Sequence, residues 1–321
     1  MPSEKTEKKQ AQAPQDPNYG YDPWIISRYK KLFPDWEALV RRMERPIPDY
    51  IRINKLRANP DETIKALEKR GFRFKRVPFC DYAFQATEAP FSLSSTPEYL
   101  LGEYFIHDAS SLLPPLALAP KPGEIVLDMC AAPGGKSTHL AEIMQNKGTI
   151  FALDINRDKI RALRSHVNRL GIENMMIFRT DAMDAANVMG NVRPDKILLD
   201  APCSGEGVVS KDASRKQGEI SEIDFCRSSQ RALLKLACNL LKDGGTLVYS
   251  TCTFAPEENE ESIVYAVEEL GMRVEEIGVE AGVPALGEAF GKKLPEYVTK
   301  ARRFLPHIHN TMGAFAAKLK K

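Results

Sequence analysis

The sequence predicts an α/β fold: a Rossmann-like, doubly wound parallel sheet over residues 96–321, preceded by a small α+β module over residues 23–95. From about residue 121, short apolar runs alternate with amphipathic helical stretches. That alternation is typical of a parallel sheet with helices on both faces. The apolar runs are continuous, as in ILLD, which is expected when both faces of the sheet are covered.

The first 22 residues are polar and contain three prolines, so residues 1–22 are predicted to be disordered. In the module that follows, apolar spacing predicts helices over residues 24–33, 36–43 and 60–70, and strands over residues 49–56 and 72–77. The first of these strands alternates apolar and polar residues, as a half-buried strand does.

The larger domain is predicted to contain a regular series of strands and helices. The strands are expected at residues 125–127, 150–153, 175–178, 197–199 and 246–249, and the C-terminal AFAAKLKK is expected to add one more. The helices are expected at residues 137–145, 157–170, 225–241 and 257–270.

Composition places the chain among globular proteins. Charged residues make up 27% and hydrophobic residues 43% of it. No apolar run approaches the roughly 18 residues that span a bilayer, and the N-terminus lacks an apolar signal core. The chain is therefore expected to be cytoplasmic and to have no membrane partner. Its six cysteines form no C-x-x-C pair, so neither a metal site nor a disulfide scaffold is predicted.

Charge is distributed unevenly along the chain. The net charge is +2, yet residues 23–95 hold 15 Lys and Arg against 9 Asp and Glu. A basic module beside a near-neutral domain suggests a nucleic-acid partner, although charge alone fits a solvated surface equally well.

A glycine-containing loop follows the first predicted strand of the sheet: Asp128-Met-Cys-Ala-Ala-Pro-Gly-Gly-Lys136-Ser. Ligands of doubly wound sheets bind beyond the carboxyl ends of the strands, where glycines let the backbone approach them closely. The loop is not a P-loop, because Cys130 replaces the first glycine of G-x-x-x-x-G-K-[ST], and it lacks the dinucleotide fingerprint G-x-G-x-x-G. It therefore favours a nucleoside without phosphates, such as S-adenosylmethionine.

Acidic residues stand at the ends of three successive strands. Asp154 lies 20 residues after Gly134, where an acid can hold a ribose hydroxyl pair. Asp181 follows the next strand and could accept from an adenine amino group, and Asp200 ends the strand after that. Each acid alone equally suits a helix cap or a turn, but their repetition along one edge favours a cofactor site.

Two cysteines follow neighbouring predicted strands. Cys203 stands in Asp200-Ala-Pro-Cys-Ser-Gly, and Cys252 stands in Ser-Thr-Cys-Thr. Adjacent parallel strands end at the same edge of a sheet, so both thiols and Asp200 are expected in one pocket beside the cofactor. A single cysteine is more often a small buried hydrophobe, which is the interpretation kept for the cysteines outside the loop and these two blocks.

This constellation suits methylation of carbon-5 of a cytosine. Carbon-5 is a poor nucleophile, and addition of a thiolate at carbon-6 makes it enamine-like, so that it can attack a sulfonium methyl group. The attacking group must be a thiolate, whereas a free cysteine has a pKa of about 8.5. N3 of the ring must be polarised by a positioned acid such as Asp200. A second thiol can assist the elimination that releases the product.

The blocks DMCAAPGGKSTHLAE, LLDAPCSGEGVV and YSTCTFAPEENE resemble the NSUN (Sun/Fmu) family of S-adenosylmethionine-dependent RNA cytosine-5 methyltransferases. The resemblance covers residues 96–321 and extends more weakly back to residue 24. It implies that Cys252 is the nucleophile, that Cys203 promotes product release, and that Asp200 and Lys136 line the active site. It implies cofactor contacts at Cys130, Ala131, Ala132, Pro133, Gly134, Gly135, Lys136, Asp154, Asp181 and Asp200.

Weaker blocks carry the same resemblance. YIRINKLR resembles the family's RNA-side segment, with its Arg-x-Asn pattern at Arg52 and Asn54. Two positions depart from the family pattern: His107 stands where Gln is common, and Ala314 replaces the first residue of a Phe pair. The first is expected to be structural and the second to affect local packing only.

The module over residues 23–95 is therefore predicted to bind RNA, with its cations on the phosphates of a groove beside the sheet. The cations expected there are Arg28, Lys30, Lys31, Arg52 and Lys55. The RNA is expected to be tRNA because the chain is compact, with rRNA as the alternative, and the protein is expected to be a monomer.

Three other functions compete with this interpretation. A DNA cytosine-5 methyltransferase would use Cys203 as its nucleophile, but the chain has no insert large enough for target recognition. A non-catalytic RNA-binding assembly protein would be expected to have lost Asp200, Cys203 or Cys252, and none is lost. A methyltransferase for small molecules or protein side chains leaves the paired thiols unexplained.

Overall fold

The computed structural model describes residues 19–321, and the predicted disordered tail lies outside the described residues as far as residue 18. Residues 19–22, which were included in that tail, are ordered instead. Tyr21 is buried, with its ring edge-on to Tyr29. The backbone N–H of Asp22 donates to the carbonyl of Lys216, and the Asp22 side chain caps the first helix. Burial of the Tyr21 ring therefore extends the ordered chain towards the N-terminus.

An antiparallel sheet, β2-β3-β1-β4, forms the core of the N-terminal part. The elements in chain order are α1 (Pro23–Leu32), α2 (Trp36–Met43), β1 (Tyr50–Ile53), α3 (Pro60–Lys69), β2 (Arg73–Val77), β3 (Cys80–Glu88), α4 (Pro97–Leu100) and β4 (Tyr104–His107). The boundary predicted between residues 95 and 96 falls before β4, which pairs with β1.

Strand β1 is buried throughout, whereas the sequence predicted a half-buried strand. It lies between β3 and β4, and one of its faces packs against the larger domain. Arg52 on that face is fully buried and forms a bidentate ion pair with Glu142, at 2.8 and 3.0 Å. Arg52 also donates to the carbonyl of Gly135 at 2.8 Å. Arg52, whose polar side chain suggested a solvent-exposed face, therefore lies in the interface between the two parts of the chain.

Helices α1 and α2 pack on the larger domain. The rings of Tyr29 and Phe33 meet Phe254 edge-on, each with ring centroids 5.8 Å apart. Arg28 forms a bidentate ion pair with Glu257, at 2.7 and 2.9 Å. Helix α1 is thereby fixed against the segment that follows Cys252.

The larger domain is a sheet of mixed direction with helices on both faces. Its elements in chain order are α5 (Leu113–Leu118), β5 (Ile125–Asp128), α6 (Gly135–Ile143), β6 (Thr149–Asp154), α7 (Arg157–Leu170), β7 (Met175–Arg179), α8 (Ala185–Met189), β8 (Lys196–Asp200), α9 (Ile220–Leu240), β9 (Thr246–Thr251), α10 (Glu260–Glu268), β10 (Arg273–Glu275), β11 (Val283–Pro284), β12 (Glu288–Ala289), β13 (Lys292–Lys293), β14 (Arg302–Phe304), α11 (Pro306–His309) and β15 (Ala314–Lys320).

The order of this sheet is β11-β14-β15-β9-β8-β5-β6-β7, and β10 pairs with the far side of β15. Strands β5 to β9 are parallel, as predicted, and β15 is an additional antiparallel strand on β9. Strands β10 to β14 were not predicted, because runs of two or three residues carry no period. The chain leaves β5 towards β6 on one side and returns as β8 on the other, so a crevice opens between β5 and β8.

In the part of the chain that the structure describes, no helix has both the length and the apolar character needed to cross a bilayer.

Candidate active site

The predicted site residues lie along one edge of the sheet. Cys203 follows β8 and Cys252 follows β9, and these strands pair in parallel with Asp200 opposite Ser250. The glycine-containing loop follows β5, the neighbour of β8. The shared edge therefore brings together the thiols, Asp200 and the loop, as the strand pattern predicted.

The two thiols are in direct contact. The sulfur atoms of Cys203 and Cys252 are 3.3 Å apart, and the backbone N–H of Cys252 lies 3.3 Å from the Cys203 sulfur. Gly207 fixes the backbone beside them by donating to the carbonyl of Cys252 at 2.9 Å. A Cβ at position 207 would come within 2.7 Å of that oxygen, so only glycine fits this crossing without displacement.

The two thiols differ in their acidity. The pKa of Cys252 is lowered because the thiol of Cys203 donates to its sulfur; burial and Asp200 oppose this effect, and the charge of Lys136 adds to it. The pKa of Cys203 is raised well above the usual value by its hydrogen bond with the Cys252 sulfur, and burial and the charges of Cys252 and Glu258 raise it further; the backbone N–H of Cys252 opposes them. Cys252 is therefore the better thiolate of the pair.

Lys136 and Asp200 form an ion pair beside Cys252, with Nζ 2.6 Å from Oδ2. The other oxygen of Asp200 accepts from the Ser250 hydroxyl at 2.7 Å. Burial alone would lower the pKa of Lys136, but the charge and the hydrogen bond of Asp200 raise it above its usual value. Sequence reasoning missed Ser250, although its position opposite Asp200 follows from the parallel register.

Backbone N–H groups of the loop after β5 donate hydrogen bonds to the end of β6, which fixes the loop in place. Ala131 N–H donates to the carbonyl of Leu153 at 2.8 Å, and Ala132 N–H donates to Asp154 Oδ2 at 3.1 Å. Gly134 has a φ of +112°, and a Cβ there would lie 2.7 Å from a methyl group of Leu163. The glycine is therefore required for the turn into α6.

Asp154 and Asp181 lie at the ends of β6 and β7, further along the edge from the thiols. Besides Ala132, Asp154 accepts from the backbone N–H of Asn156 at 2.8 Å. Asp181 accepts from Met183 N–H at 2.9 Å and is exposed. Both acids thus also act as turn caps, and each carboxylate retains lone pairs for a ligand.

Two cavities adjoin this edge. One of about 210 Å³ is lined by Cys252, Ser250, Asp200 and Lys136, and Cys203 is not among its lining residues. The other, of about 390 Å³, is lined by residues 130–136 of the loop together with Asp200, His107 and Lys211. Lys136 and Asp200 contribute to both cavities, so their ion pair stands between the loop and the Cys252 sulfur.

The structure buries two of the cations that the sequence assigned to RNA. Arg52 and Arg28 are engaged with Glu142 and Glu257, so their assignment to phosphates is wrong. Asn54 is also buried, where it donates to the carbonyls of Gly102 and Leu170. The paired glutamates lie 90 and 229 residues away along the chain, beyond what local sequence reveals.

The remaining predicted cations are exposed. Lys30 and Lys31 lie in the last turn of α1, with Lys30 Nζ 4.7 Å from the centre of the Trp36 ring. Lys55 lies 3.9 Å from the ring centre of Tyr82. Lys211 is exposed at the larger cavity and was not singled out from the sequence.

Within residues 19–321, no cluster of His, Cys, Asp and Glu side chains has the geometry of a metal site.

Comparison with known proteins places the chain in a family. Residues 115–320 match the family model described as 16S rRNA methyltransferase RsmB/F, and residues 21–90 match the ferredoxin-like domain of RsmF/B-like methyltransferases. The chain belongs to the RsmB/F methyltransferase family. The resemblance noted from the sequence blocks and the predicted fold class are thereby confirmed.

Individual members of the RsmB/F family match over most of this chain. It is 36% identical to "26S rRNA (cytosine-C(5))-methyltransferase nsun-1" of Caenorhabditis elegans, over 94% of this chain and 47% of that protein. It is 34% identical to "tRNA (cytosine(49)-C(5))-methyltransferase" of Pyrococcus abyssi, over 92% of this chain and 95% of that protein. The chain spans 38–51% of the length of the eukaryotic rRNA relatives that it matches.

A solved structure agrees with the fold. The methyltransferase homologue from Pyrococcus horikoshii is 41% identical and superimposes with a TM-score of 0.87, over 94% of this chain and 96% of that one. The N-terminal sheet and the larger sheet are therefore both shared with this family member.

Proposed function

We propose that this chain transfers a methyl group from S-adenosylmethionine to carbon-5 of a cytosine in RNA, through a covalent bond between the Cys252 sulfur and cytosine carbon-6. The thiol pair carries this proposal: Cys252 lines the cavity with a lowered pKa, and Cys203 lies 3.3 Å from it, outside the lining. Family relatives named as cytosine-C(5) methyltransferases support it.

The residues at the cavity edge fit S-adenosylmethionine. The first turn of α6 leaves backbone N–H groups without helical partners, which suits the carboxylate of the methionine part. Asp154 and Asp181 have lone pairs for the ribose hydroxyls and the adenine amino group. When bound, the cofactor supplies a methyl group on a sulfonium.

Cys252 then acts as the nucleophile. Its attack forms the bond from sulfur to carbon-6 and moves a pair of ring electrons to carbon-5, which takes the methyl group. Both oxygens of Asp200 accept hydrogen bonds, one from Lys136 and the other from Ser250. The proton that N3 requires is therefore shared within the Lys136–Asp200 pair.

Release reverses the attack. Solvent water takes the proton from carbon-5, the electrons of that C–H bond restore the ring double bond, and the bond from carbon-6 to the Cys252 sulfur breaks. The thiol of Cys203 lies 3.3 Å from that sulfur, and a hydrogen bond donated by Cys203 would stabilise it as a leaving thiolate. This gives the two thiols separate roles, one in bond formation and the other in release.

Exchange of each cysteine tests these roles. Cys252→Ala is expected to abolish both methylation and the protein–RNA adduct, whereas Cys203→Ala is expected to form the adduct and release it slowly. Adducts are measured on denaturing gels with labelled RNA, and methylation with labelled cofactor. An adduct that survives Cys252→Ala would overturn the assignment and favour Cys203 as the nucleophile. If both variants keep full methylation and adduct formation, the activity comes from a contaminating methyltransferase and this chain is not the catalyst.

For the RNA we propose tRNA over rRNA. The Pyrococcus abyssi relative, which is named as a tRNA methyltransferase, supports this proposal, since it matches 92% of this chain at 34% identity. Bisulfite sequencing of total RNA from cells with and without the gene tests this directly. A 5-methylcytosine that disappears from rRNA, with tRNA unchanged, would replace the proposal by the rRNA alternative. The cytoplasmic location and the monomeric state predicted above stay predictions.

A further inference from the structure

A buried carboxylate lies behind the thiol pair. Glu258 is fully buried, and its oxygens accept from Ser204 N–H at 3.1 Å, from the Ser204 hydroxyl at 2.5 Å and from the Gln230 side-chain amide at 2.7 Å. The same amide donates to the carbonyl of Pro202 at 2.8 Å. Both chain neighbours of Cys203 are thus tied, directly or through Gln230, to Glu258.

The contacts of Glu258 favour its ionised form. Its partners all donate, and an ionised carboxylate only accepts. The Thr253 hydroxyl, 2.7 Å from that of Ser204, extends the chain of donors. The pKa of Glu258 is raised above its usual value by burial, and the donated hydrogen bonds oppose this effect. Within residues 19–321, Glu258 has no ion-pair partner, so its charge is not neutralised locally.

The charges around the two thiols are asymmetric. Cys252 faces Lys136 and Asp200 as well as Glu258 and Cys203. Cys203 faces Glu258 and Cys252, and the Arg215 guanidinium donates to the carbonyl of its chain neighbour Ser204 at 3.1 Å. Besides the thiols, Glu258 is itself surrounded by further acids: Glu206, Tyr249 and Cys226. A negative charge disfavours a nearby thiolate.

We propose that Glu258 is a positioning residue that keeps the shared proton on Cys203 and thereby makes Cys252 the nucleophile. Its negative charge lies beside the Cys203 turn and disfavours a thiolate there. Its hydrogen bonds to Ser204 also fix the turn in which the Cys203 sulfur contacts Cys252. This inference rests on the proposed function, in which Cys252 is the nucleophile. The state of the thiols can be measured without RNA or cofactor.

The test is the pH dependence of Cys203 alkylation by iodoacetamide, followed by peptide mass spectrometry, in the full chain carrying Cys252→Ser. Adding Glu258→Gln is expected to move the midpoint for Cys203 to lower pH by about one unit or more, since loss of a nearby like charge shifts a pKa by this order. Glu258→Asp, which keeps the charge, is expected to leave the midpoint near that of the parent.

Two further variants separate charge from packing. Gln230→Ala removes a donor to Glu258 but no negative charge, so it is not expected to lower the midpoint. Glu257→Gln removes the adjacent carboxylate, which pairs with Arg28, and is expected to leave the midpoint unchanged. Melting curves establish that each variant is folded.

An unchanged Cys203 midpoint in folded Glu258→Gln would overturn the proposal. If Glu258→Gln does not fold, a lowered midpoint in Glu257→Gln or in Gln230→Ala would overturn the proposal instead. The proposed function fails separately, through absence of methylation by the unaltered chain.

Discussion

At the ends of β8 and β9, the candidate site residues form hydrogen bonds with one another. Cys203 contacts Cys252 through the sulfur atoms, and Asp200 contacts both Lys136 and Ser250. At the ends of β6 and β7, Asp154 and Asp181 bond only to backbone N–H groups among their described contacts. We name these regions the thiol end and the acid end. Reacting groups need fixed orientation, whereas groups that recognise a ligand must keep acceptor capacity for it. This contrast agrees with the proposed function, in which the thiol end performs the chemistry and the acid end recognises the cofactor.

The largest effect is expected from breaking the thiol end at Asp200. Asp200→Asn removes the charge that holds Lys136 and polarises the base, so the single-turnover rate of methylation should fall by about 10²–10⁴-fold, the usual contribution of a positioned acid or base. Ser250→Ala is the matched control, since it removes only the neutral partner of Asp200 and should cost far less. Equal rates for Asp200→Asn and the unaltered chain would remove Asp200 from the mechanism.

The acid end should respond in binding rather than in chemistry. Asp154→Ala removes a ligand acceptor and the contact that holds Ala132, so the dissociation constant for S-adenosylmethionine should rise about tenfold or more, the usual effect of a hydrogen bond to a charged group. Calorimetric titration measures it. Asp158→Ala, an exposed acid in the first turn of α7, serves as the control and should leave the constant unchanged. A larger fall in the methylation rate at saturating cofactor than in affinity would contradict the division between the two ends.

A smaller effect is expected from the cations outside both ends. Lys30→Glu together with Lys31→Glu should weaken RNA binding several-fold and flatten its dependence on salt, because fewer counterions are released. Filter binding at several salt concentrations measures both quantities, and cofactor affinity should not change. The same exchange at the exposed Lys65 and Lys69 of α3 controls for net charge. If both pairs weaken binding equally, α1 is not a specific part of the RNA surface.

The smallest effect concerns Asp128, which lies between the two ends at the end of β5. Burial raises its pKa to about 7. The Ser137 hydroxyl lies 2.6 Å from Asp128 Oδ2 and 2.9 Å from the carbonyl of Ala131. A hydroxyl has one proton, so both contacts are hydrogen bonds when Asp128 is protonated.

Asp128 therefore gives the folded state a pH dependence. An unfolded Asp releases its proton near pH 4, so the folded state binds more protons between pH 4 and 7. The stabilisation by Asp128 is complete below pH 4 and is lost as the pH rises to 7. Asp128→Asn should thus melt lower than the unaltered chain by a few degrees at pH 5, and the difference should shrink towards pH 8. A constant difference would show that Asp128 is ionised throughout.

Much of the thiol end could be predicted from the sequence. Continuous apolar runs identify parallel strands, and parallel strands place the residues that follow them at one edge, so Asp200, Cys203 and Cys252 were expected together. The same argument placed the loop and Asp154 correctly along the edge. The parallel register also determines Ser250, and only the importance of its hydroxyl escaped notice.

The buried cations could not be predicted in this way. Arg52 and Arg28 have the composition of RNA contacts, and only long-range folding brings Glu142 and Glu257 to them. Strand β3 was missed in spite of its alternating residues, and β4 lies beyond residue 95, where the predicted module ended. Sequence pattern reports local periodicity, whereas the partner of a charged side chain is decided by tertiary contacts.

The contacts of Arg52 make the N-terminal sheet and α6 mutually dependent. Arg52 reaches from β1 to the Gly135 carbonyl, one residue before Lys136, and to Glu142 two turns later. Replacing Arg52 by a neutral residue would leave Glu142 as a buried charge without its partner, a loss of about 3–5 kcal/mol in such pairs. Typical folding free energies are only about 5–15 kcal/mol. The two sheets should therefore melt in one cooperative transition, and neither can be exchanged for a foreign module without rebuilding the other.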